Sequence, residues 1–319
     1  MNIVTAWPGI VVMGSGAVGC YYGGLLARAG APVTLIARPP HVEAIARDGL
    51  KLESPHFAGH ISVVASGDAS AARDAQWVLF SVKSGDTEAT AQSLAPHLDP
   101  KAIVIGLQNG VDNIDRIRKH LPNPVLPAVV YVAVAMAGPG VVRHTGRGDL
   151  IIGNMGRGRD FSPAQLEAIS AVFERAAIPC LVSDNVEGEL WLKLLMNCAY
   201  NAISALGLSQ YKRMRASAEV QAVMKTVVRE VLAVAHASGV TMPPGDLVDA
   251  ACRLADSMPE ATSSTAQDLA RGKPSEVDHL NGFVYRRGLQ LGIPAPANQT
   301  LHALVRLLEA APSSRPGAA

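Results

Sequence analysis

The stretch Gly9-Ile10-Val11-Val12-Met13-Gly14-Ser15-Gly16-Ala17-Val18-Gly19 carries the strongest fold signal in this chain. An apolar run of strand length leads into GxGxxG and then into a helical pattern, the context in which this motif indicates a dinucleotide-binding turn. The first glycine permits the tight turn, the second lets the backbone approach a pyrophosphate, and the third lets the helix pack on the strand. The predicted cofactor-binding residues of this turn are Gly14, Ser15, Gly16, Ala17, Val18 and Gly19.

The end of the second predicted strand indicates which dinucleotide is bound. NAD sites place an Asp or Glu about twenty residues after the glycines, where it holds the ribose 2′-hydroxyl. Here the chain reads Ile36-Ala37-Arg38-Pro39-Pro40, with no acid until Glu43. A guanidinium can hold a 2′-phosphate through paired, charge-assisted hydrogen bonds, although an arginine at a strand end can also be merely solvated. The pattern favours NADP, with Arg38 as a binding residue.

The rest of the first half alternates short apolar runs with helical patterns, which is typical of βαβ units and a parallel sheet. Lys83 follows the predicted strand 77–82, and Gln108-Asn109-Gly110 follows the predicted strand 102–105. Because ligands of open α/β sheets bind outside the carboxyl ends of the strands, Lys83 and Asn109 are candidate site residues. The alternatives are a surface lysine and plain turn chemistry beside Gly110. Further strands are predicted at 9–13, 33–37, 127–137, 150–153 and 180–182.

From about residue 185 the strand signal ends. Apolar residues recur with helical period at 189–206, 219–237, 245–257, 275–291 and 298–309. The sequence therefore predicts a Rossmann-type, doubly wound α/β N-terminal domain (1–184) that binds NADP, followed by an all-α C-terminal domain (185–319). An active site is expected in the cleft between two such domains. The Pro- and Ala-rich tail 311–319 is expected to be disordered.

Composition excludes several classes of protein. The 319 residues are 49% hydrophobic and 17% charged, and 28 basic against 27 acidic residues leave a formal charge of +1, so neither a nucleic-acid nor an anionic-membrane surface is expected. The uncharged stretch 121–142 is interrupted by four prolines and reads as a buried strand, not a membrane span. The cysteines lack metal-ligand spacing, so no metal is expected, and with no signal peptide a cytoplasmic protein with reduced thiols is predicted.

One predicted helix in the second half carries a polar stripe. Lys193, Asn197 and Asn201 are spaced i, i+4 and i+8 within an apolar segment, so they cover roughly 80° of the helix surface. Asparagine is a mediocre helix former, and two of them in an apolar helix need partners. A buried polar seam or a solvated face would explain the stripe, but so would a site in which Lys193 donates a proton.

Two further candidates lie later in the chain. Ser264, in Thr262-Ser263-Ser264, by itself suits a loop or a helix cap. Glu276 by itself suits a first-turn acid of a helix with Ser275 as the N-cap.

Together these landmarks resemble the ketopantoate reductase (2-dehydropantoate 2-reductase) family over roughly residues 9–308. That family reduces the 2-keto group of ketopantoate with NADPH on the route to pantothenate. The resemblance implies an NADP-dependent oxidoreductase that takes a small 2-keto acid and has Lys193 as the general acid. It rests on the glycine turn, Arg38, Val82-Lys83, Gln108-Asn109-Gly110, Trp191-Leu192-Lys193 with Asn197 and Asn201, Ser263-Ser264, and 276–282.

The resemblance also implies a role for each remaining candidate. Asn197 and Asn201 would bind the substrate's oxygens, Ser264 its carboxylate, and Asn109 would lie between nicotinamide ribose and substrate. For the cofactor, Arg38 and Lys83 would hold the 2′-phosphate end, Ala135 would offer a backbone contact, and Glu276 would bridge the ribose and the lysine.

Some positions depart from the family pattern and leave the keto acid open. Asparagines found in relatives are replaced near Gln210 or Tyr211 and at Ala261, and the turn Ser84-Gly85-Asp86 lacks a glutamine. Such peripheral hydrogen bonds decide specificity. A reductase of a different branched 2-keto acid is therefore one alternative, and a non-catalytic NADP-sensing protein is another. Long apolar helices such as 220–237 can pack within the domain or across a possible homodimer.

Overall fold

The computed structural model describes residues 6–156 and 160–310. The chain divides into two compact units, Met1–Val186 and Glu187–Ala319. The tail 311–319 that the sequence predicts to be disordered lies outside the described residues. Among the described helices, none is long and apolar enough to cross a membrane. All four cysteines are buried and free, as the sequence predicts.

The first unit is built on one mixed sheet. Its strands lie in the order β4-β3-β9-β8-β7-β6-β1-β2-β5, and β10 pairs with β9. The run from β8 to β5 is parallel throughout, which is the arrangement expected of βαβ units. The strands are β1 (Ile10–Met13), β2 (Val33–Ile36), β3 (Leu50–Ser54), β4 (Phe57–Ile61), β5 (Val64–Ser66), β6 (Trp77–Phe80), β7 (Ile103–Gly106), β8 (Val125–Gly138), β9 (Val141–Ile152) and β10 (Cys180–Val182).

The helices of the first unit connect these strands. Helix α1 packs against strands from both halves of the sheet, including β2 and β8. Ser162 caps α5 in a reciprocal capping box with Gln165, which satisfies two donors at the helix start. The helices are α1 (Ala17–Arg28), α2 (Pro39–Asp48), α3 (Thr87–Leu94), α4 (Asn113–Arg118) and α5 (Pro163–Arg175).

The strand order places a topological switch point at β1. The chain leaves β1 for β2 on one side of it, and β6 later pairs on the other side, with Met13 in register with both Ile36 and Phe80. At such a point the loops after neighbouring strands run in opposite directions and open a crevice at the carboxyl edge of the sheet. The fold therefore opens its ligand crevice at the glycine turn that follows β1.

Strand β8 links two kinds of pairing. Pro127 is in register with Gly106 of β7, at the carboxyl edge, and from Ala128 to Gly138 the strand pairs antiparallel with β9. The strand predicted at 127–137 is confirmed, but its partner β9 is eight residues longer than the predicted strand 150–153 (12 against 4). The three strands β3, β4 and β5 were not predicted.

The second unit is helical over its described residues. Its core consists of fully buried aliphatic side chains such as Leu195, Val227, Val231 and Val305. Helix α8 contacts α9, α11 and α12, so its apolar face is covered within the unit. The helices are α6 (Val186–Leu206), α7 (Tyr211–Ala216), α8 (Ala218–Ala237), α9 (Leu247–Ser257), α10 (Ser264–Ala270), α11 (Asn281–Leu291) and α12 (Pro296–Ala310).

One predicted helix of the second unit is wrong in its first part. The segment predicted as a single helix 275–291 is a short 3-10 helix, Val277–His279, followed by α11 from Asn281. The backbone breaks at Leu280, which has a ψ of −105° and cannot continue a helix. Glu276 is accordingly the N-cap of the 3-10 helix and not a first-turn acid of α11.

Candidate active site

The glycine turn lies where β1 meets α1. Gly14 has a φ of +96°, and the Ser15 amide donates to the Ile36 carbonyl at 3.0 Å. Gly16 is the N-cap of α1, with no side-chain cap and no acid in the first turn of the helix. The first backbone N–H groups of a helix have no partner inside it and carry partial positive charge. The turn therefore presents donors and positive potential to an anionic group such as a pyrophosphate.

Packing requires two of the three motif glycines, and the third is free of packing contacts. A methyl group on Gly14 would lie 2.6 Å from the Val82 amide nitrogen, and one on Gly19 would lie 2.6 Å from the Gly14 carbonyl oxygen. Both glycines are therefore required by packing. A methyl group on Gly16 would meet no described atom within 4 Å beyond its chain neighbours, and Gly16 is exposed. Packing does not require this glycine, whose bare backbone fits close approach by a dinucleotide.

Arg38 lies two residues beyond β2, next to the crevice. It is exposed and is the N-cap of α2, with Pro39 and Pro40 at the first two positions of that helix. Because proline has no N–H group, these two positions offer no backbone donor. An anion at this end of the crevice has to be held mainly by side chains, and the Arg38 guanidinium is suited to that.

Lys83 and Asn109 lie on loops after the neighbouring strands β6 and β7. Strand β6 ends at Phe80 rather than at Val82 as predicted, so Lys83 is the third residue after it and the N-cap of the 3-10 helix Ser84–Asp86. The Ser84 hydroxyl donates to the Asn109 carbonyl at 3.1 Å, which joins the two loops. Lys83 is exposed and Asn109 is partly exposed.

Ala135 occupies a different position. It lies in the extension of β8 and faces Arg143 of β9 in the register. It is eight residues past Pro127, which marks the carboxyl edge (135 − 127). Ala135 is therefore three residues from the end of the long strand β8, beyond the edge at which the parallel pairing with β7 stops.

In the second unit the predicted polar stripe lies on α6. Lys193 and Asn197 are partly exposed, while Asn201 is buried with 5% of its surface exposed. At 1.5 Å per residue the three positions are spaced by about 6 Å along the helix. Met196 is partly exposed beside them, and the opposite face is buried, including Leu195 and Ala202. The helix thus presents an amine, two amides and one apolar side chain.

Ser264 joins this stripe from another element. The Asn201 side-chain amide donates to the Ser264 hydroxyl at 3.5 Å, across 63 residues of sequence. The adjacent Ser263 is 1% exposed; its hydroxyl donates to the Asn201 carbonyl at 3.0 Å and caps α10 by accepting from the Ala266 amide. The structure therefore brings Asn201 and Ser264 together, and Ser264 is an exposed residue.

Glu276 precedes a segment whose side chains are used for packing. Glu276 is buried, with 8% of its surface exposed. Asn281 is fully buried and donates to the Cys198 carbonyl of α6 at 3.1 Å and to the Asn298 side chain at 3.0 Å. The sequence includes Asn281 only within the landmark 276–282, and its pattern predicts neither of these contacts. The contact ties α11 to α6 one residue from Asn197.

Cys198 takes no part in the polar stripe. It is fully buried on α6, and this burial raises the pKa of its thiol above the ordinary value. The thiol therefore stays neutral and acts as a small core side chain. Among the described residues no group of three or more His, Cys, Asp or Glu side chains is placed to hold a metal ion.

Two family models match this chain. The model described as "Ketopantoate reductase PanE/ApbA" matches residues 10–157, and the one described as "Ketopantoate reductase PanE/ApbA C terminal" matches residues 185–309. Among sequence relatives, the chain is 32% identical to the 2-dehydropantoate 2-reductase of Halobacterium salinarum over 94% of this chain and 98% of that one.

Solved structures extend the similarity. The crystal structure of a PanE/ApbA family ketopantoate reductase from Ralstonia eutropha JMP134 matches with a TM-score of 0.88 and 53% identity, covering 94% of this chain and 98% of that one. The fold is also similar to that of D-mandelate dehydrogenase in its ternary structure with NADH and anilino(oxo)acetate. The TM-score is 0.86 and the identity is 23%, over 94% of this chain and 98% of that one, so this similarity is one of fold alone. A nicotinamide dinucleotide is thus bound in a structural neighbour of this chain.

Proposed function

Because the chain belongs to the ketopantoate reductase family, we propose that it catalyses the NADPH-dependent reduction of 2-dehydropantoate (ketopantoate) to pantoate, a step of pantothenate biosynthesis. The observation that carries the proposal is the stripe of Lys193, Asn197 and Asn201, with Ser264 3.5 Å from Asn201. A protein that only senses NADP would need the glycine turn but not an amine, two amides and a hydroxyl on one apolar helix.

Lys193 is the proposed proton donor. Bound NADPH would supply a hydride to the C2 carbonyl carbon of the keto acid. The Lys193 ammonium would then protonate the oxygen as it becomes an alkoxide, and its charge would stabilise the negative charge that develops there. Glu276 is proposed to bridge the cofactor ribose and this lysine.

The neighbouring polar side chains are the proposed substrate site. Asn197 and Asn201 would donate hydrogen bonds to the substrate's oxygens, and the Ser264 hydroxyl would donate to its carboxylate. The contact between Asn201 and Ser264 supports a single binding site for both. Asn109 is proposed to lie between nicotinamide ribose and substrate.

A pair of substrates that differ by one hydroxyl tests the substrate assignment. Ketopantoate carries a 4-hydroxyl that 3,3-dimethyl-2-oxobutanoate lacks, so an amide-lined site should favour ketopantoate by about 100-fold or more in kcat/KM. The measurement is NADPH oxidation with each acid. Equal rates, or a preference for another branched 2-keto acid, would support the alternative reductase. Absence of turnover with intact NADPH binding would support the sensor.

The preference for NADP is proposed from the residues at the 2′-phosphate end. Arg38 and Lys83 are both exposed and are proposed to hold the 2′-phosphate, while the first two residues of α2 are prolines without N–H groups. Ala135 is proposed as a backbone contact. The glycine turn, from Gly14 to Gly19, would hold the pyrophosphate in either dinucleotide, so it does not decide between them.

Replacing Arg38 by serine is expected to lower the NADPH-to-NADH ratio of kcat/KM by about 10- to 100-fold, since one hydrogen-bonded charge is lost. Arg47→Ser is the matched control, because Arg47 is an exposed arginine of the same helix that pairs with Asp48. Steady-state kinetics with both cofactors give the ratio. An unchanged ratio in Arg38→Ser would remove Arg38 from the 2′-phosphate site.

We also propose that the protein works in the cytoplasm as a homodimer. The small-molecule chemistry of the family and the four free, buried cysteines support a cytoplasmic location. The homodimer is supported by three exposed leucines on α12, because exposed apolar clusters mark interfaces. These are Leu304, Leu307 and Leu308. Light scattering on the purified protein measures the mass, and a monomer at micromolar concentration would contradict the dimer.

A further inference from the structure

Two loops at the carboxyl edge of the sheet are joined by buried polar side chains. One loop follows β6 and carries Lys83, and the other follows β7 and carries Asn109. The Gln108 side-chain amide, on the second loop, donates to the Val82 carbonyl of the first at 3.0 Å. Loops are usually the mobile parts of a fold. Side-chain hydrogen bonds of this kind fix both loops relative to each other.

Asn113, the first residue of α4, is the centre of these contacts. It is 3% exposed. Its amide group donates to the Asn109 carbonyl at 2.6 Å and to the Ser84 hydroxyl at 3.1 Å. Its oxygen accepts from the Thr87 hydroxyl at 3.0 Å and from Arg116 at 3.1 Å. The two donors and two acceptor positions of the asparagine are therefore all used.

An ion pair closes the network on its outer side. The Arg116 guanidinium binds both carboxylate oxygens of Glu88, at 2.7 and 2.5 Å, and donates to the Ser84 carbonyl at 2.7 Å. The backbone of Ser84 is thus held at its carbonyl and its side chain at the hydroxyl. Since Lys83 directly precedes Ser84, the network also restricts the position of the Lys83 backbone.

We propose that Asn113 is a positioning residue for the dinucleotide: it holds the Ser84 hydroxyl and the Asn109 carbonyl and thereby presents Lys83 and Asn109 to the bound cofactor. The inference rests on the proposed function for the roles of those two residues. Asn113 itself is buried beneath the two loops. Its effect is exerted through the two loops, and so it should appear in cofactor affinity.

Asn123 offers a matched control. It is also a buried asparagine of the first unit, 6% exposed, and its amide donates to the carbonyls of Asp99 and Ala102 at 2.8 and 3.0 Å. Those carbonyls precede β7, whereas Asn123 precedes β8, so this contact lies at the amino edge of the same strands. Leucine at either position removes a buried amide of the same size, but only Asn113→Leu acts at the crevice.

The experiment compares wild type, Asn113→Leu and Asn123→Leu by thermal unfolding and by fluorescence titration with NADPH and with NADH, without keto acid. We expect both variants to lose stability, and only Asn113→Leu to raise the Kd for NADPH, by about 10-fold. The milder Ser84→Ala removes the hydroxyl that donates to Asn109 and accepts from Asn113. It should raise the Kd by about 3-fold and serves if Asn113→Leu fails to fold.

A merely structural role would give a different pattern. In a Lys83→Ala background, Asn113→Leu should weaken NADPH binding by less than it does in wild type, because part of its effect runs through that lysine. Three results would each overturn the proposal. The first is that Asn123→Leu weakens NADPH binding as much as Asn113→Leu does, and the second is that the effects of Asn113→Leu and Lys83→Ala on binding are fully additive. The third is that folded Asn113→Leu and Ser84→Ala bind NADPH with wild-type affinity. A wild type that binds NADPH but reduces no keto acid would refute the proposed function alone, and one that binds neither dinucleotide would refute both.

Discussion

Replacement of Lys193 by alanine is expected to lower kcat by about 10²- to 10⁴-fold, because a positioned general acid contributes that much. NADPH affinity should stay near the wild-type value, since the glycine turn and Arg38 belong to the N-terminal unit. We therefore expect a strongly lowered kcat together with an unchanged affinity for NADPH. Rapid kinetics of NADPH oxidation and a fluorescence titration of binding give the two numbers.

Two further variants separate charge from proton transfer. Lys193→Arg keeps a positive charge but its guanidinium does not give up a proton near neutral pH, so only part of the activity should return. Lys212→Ala is the control for loss of a lysine, because Lys212 is an exposed lysine of the same unit, paired with Glu260 at 2.8 Å. Turnover by Lys193→Ala at the wild-type rate would rule out its role as acid.

The parts of the fold that the sequence predicts well are those with one strong local cause. The short apolar runs of β1, β2, β6 and β7 are buried on both faces in a parallel sheet, so they read as continuous hydrophobic segments. The Rossmann-type N-terminal fold and the helical C-terminal part are confirmed. Helix α6 is confirmed for the same reason, since its apolar residues recur around most of its surface.

Strands β3 and β4 and most of β9 could not be predicted from local pattern. Strands β3 and β4 contain Lys51, Glu53 and His60, and only part of each is buried. Strand β9 contains two glycines and several charged residues, and its pairing with β8 is interrupted by register shifts. Their conformation is set by hydrogen bonds to neighbouring strands, which a single-sequence pattern does not contain.

The candidate site shows the same limit at the level of single residues. The spacing of Lys193, Asn197 and Asn201 could be read because all three lie on one helix. The contact of Asn201 with Ser264 spans 63 residues and depends on how α10 packs on α6. The role of Asn113 was equally hidden, because its partners Ser84 and Asn109 come from other loops. Contacts between distant segments require the tertiary structure.

Replacement of Gly16 by valine is expected to leave the fold intact and to raise the Kd for NADPH by about 100-fold, since charge-assisted bonds from the turn to the pyrophosphate would be lost. The backbone of Gly16 is extended, with φ −79° and ψ −162°, so no positive φ requires glycine there, and a Cβ would meet no described atom within 4 Å beyond its chain neighbours. The substitution therefore places a side chain where the dinucleotide is proposed to lie.

Gly19→Val in the same motif should mainly lower the stability of the fold, whereas Gly16→Val should mainly lower the affinity for NADPH. Its Cβ would lie 2.6 Å from both the Gly14 carbonyl oxygen and the Ser81 hydroxyl, so the variant should lose about 1–3 kcal/mol of unfolding free energy. Thermal and urea unfolding measure this loss, and NADPH titration measures the affinity of each variant. If Gly16→Val bound NADPH as wild type does, the phosphates could not lie over Gly16, and the helix N-terminus would lose its proposed ligand. Because packing requires Gly19 and the proposed ligand requires Gly16, the two variants separate the effect of this turn on folding from its effect on binding.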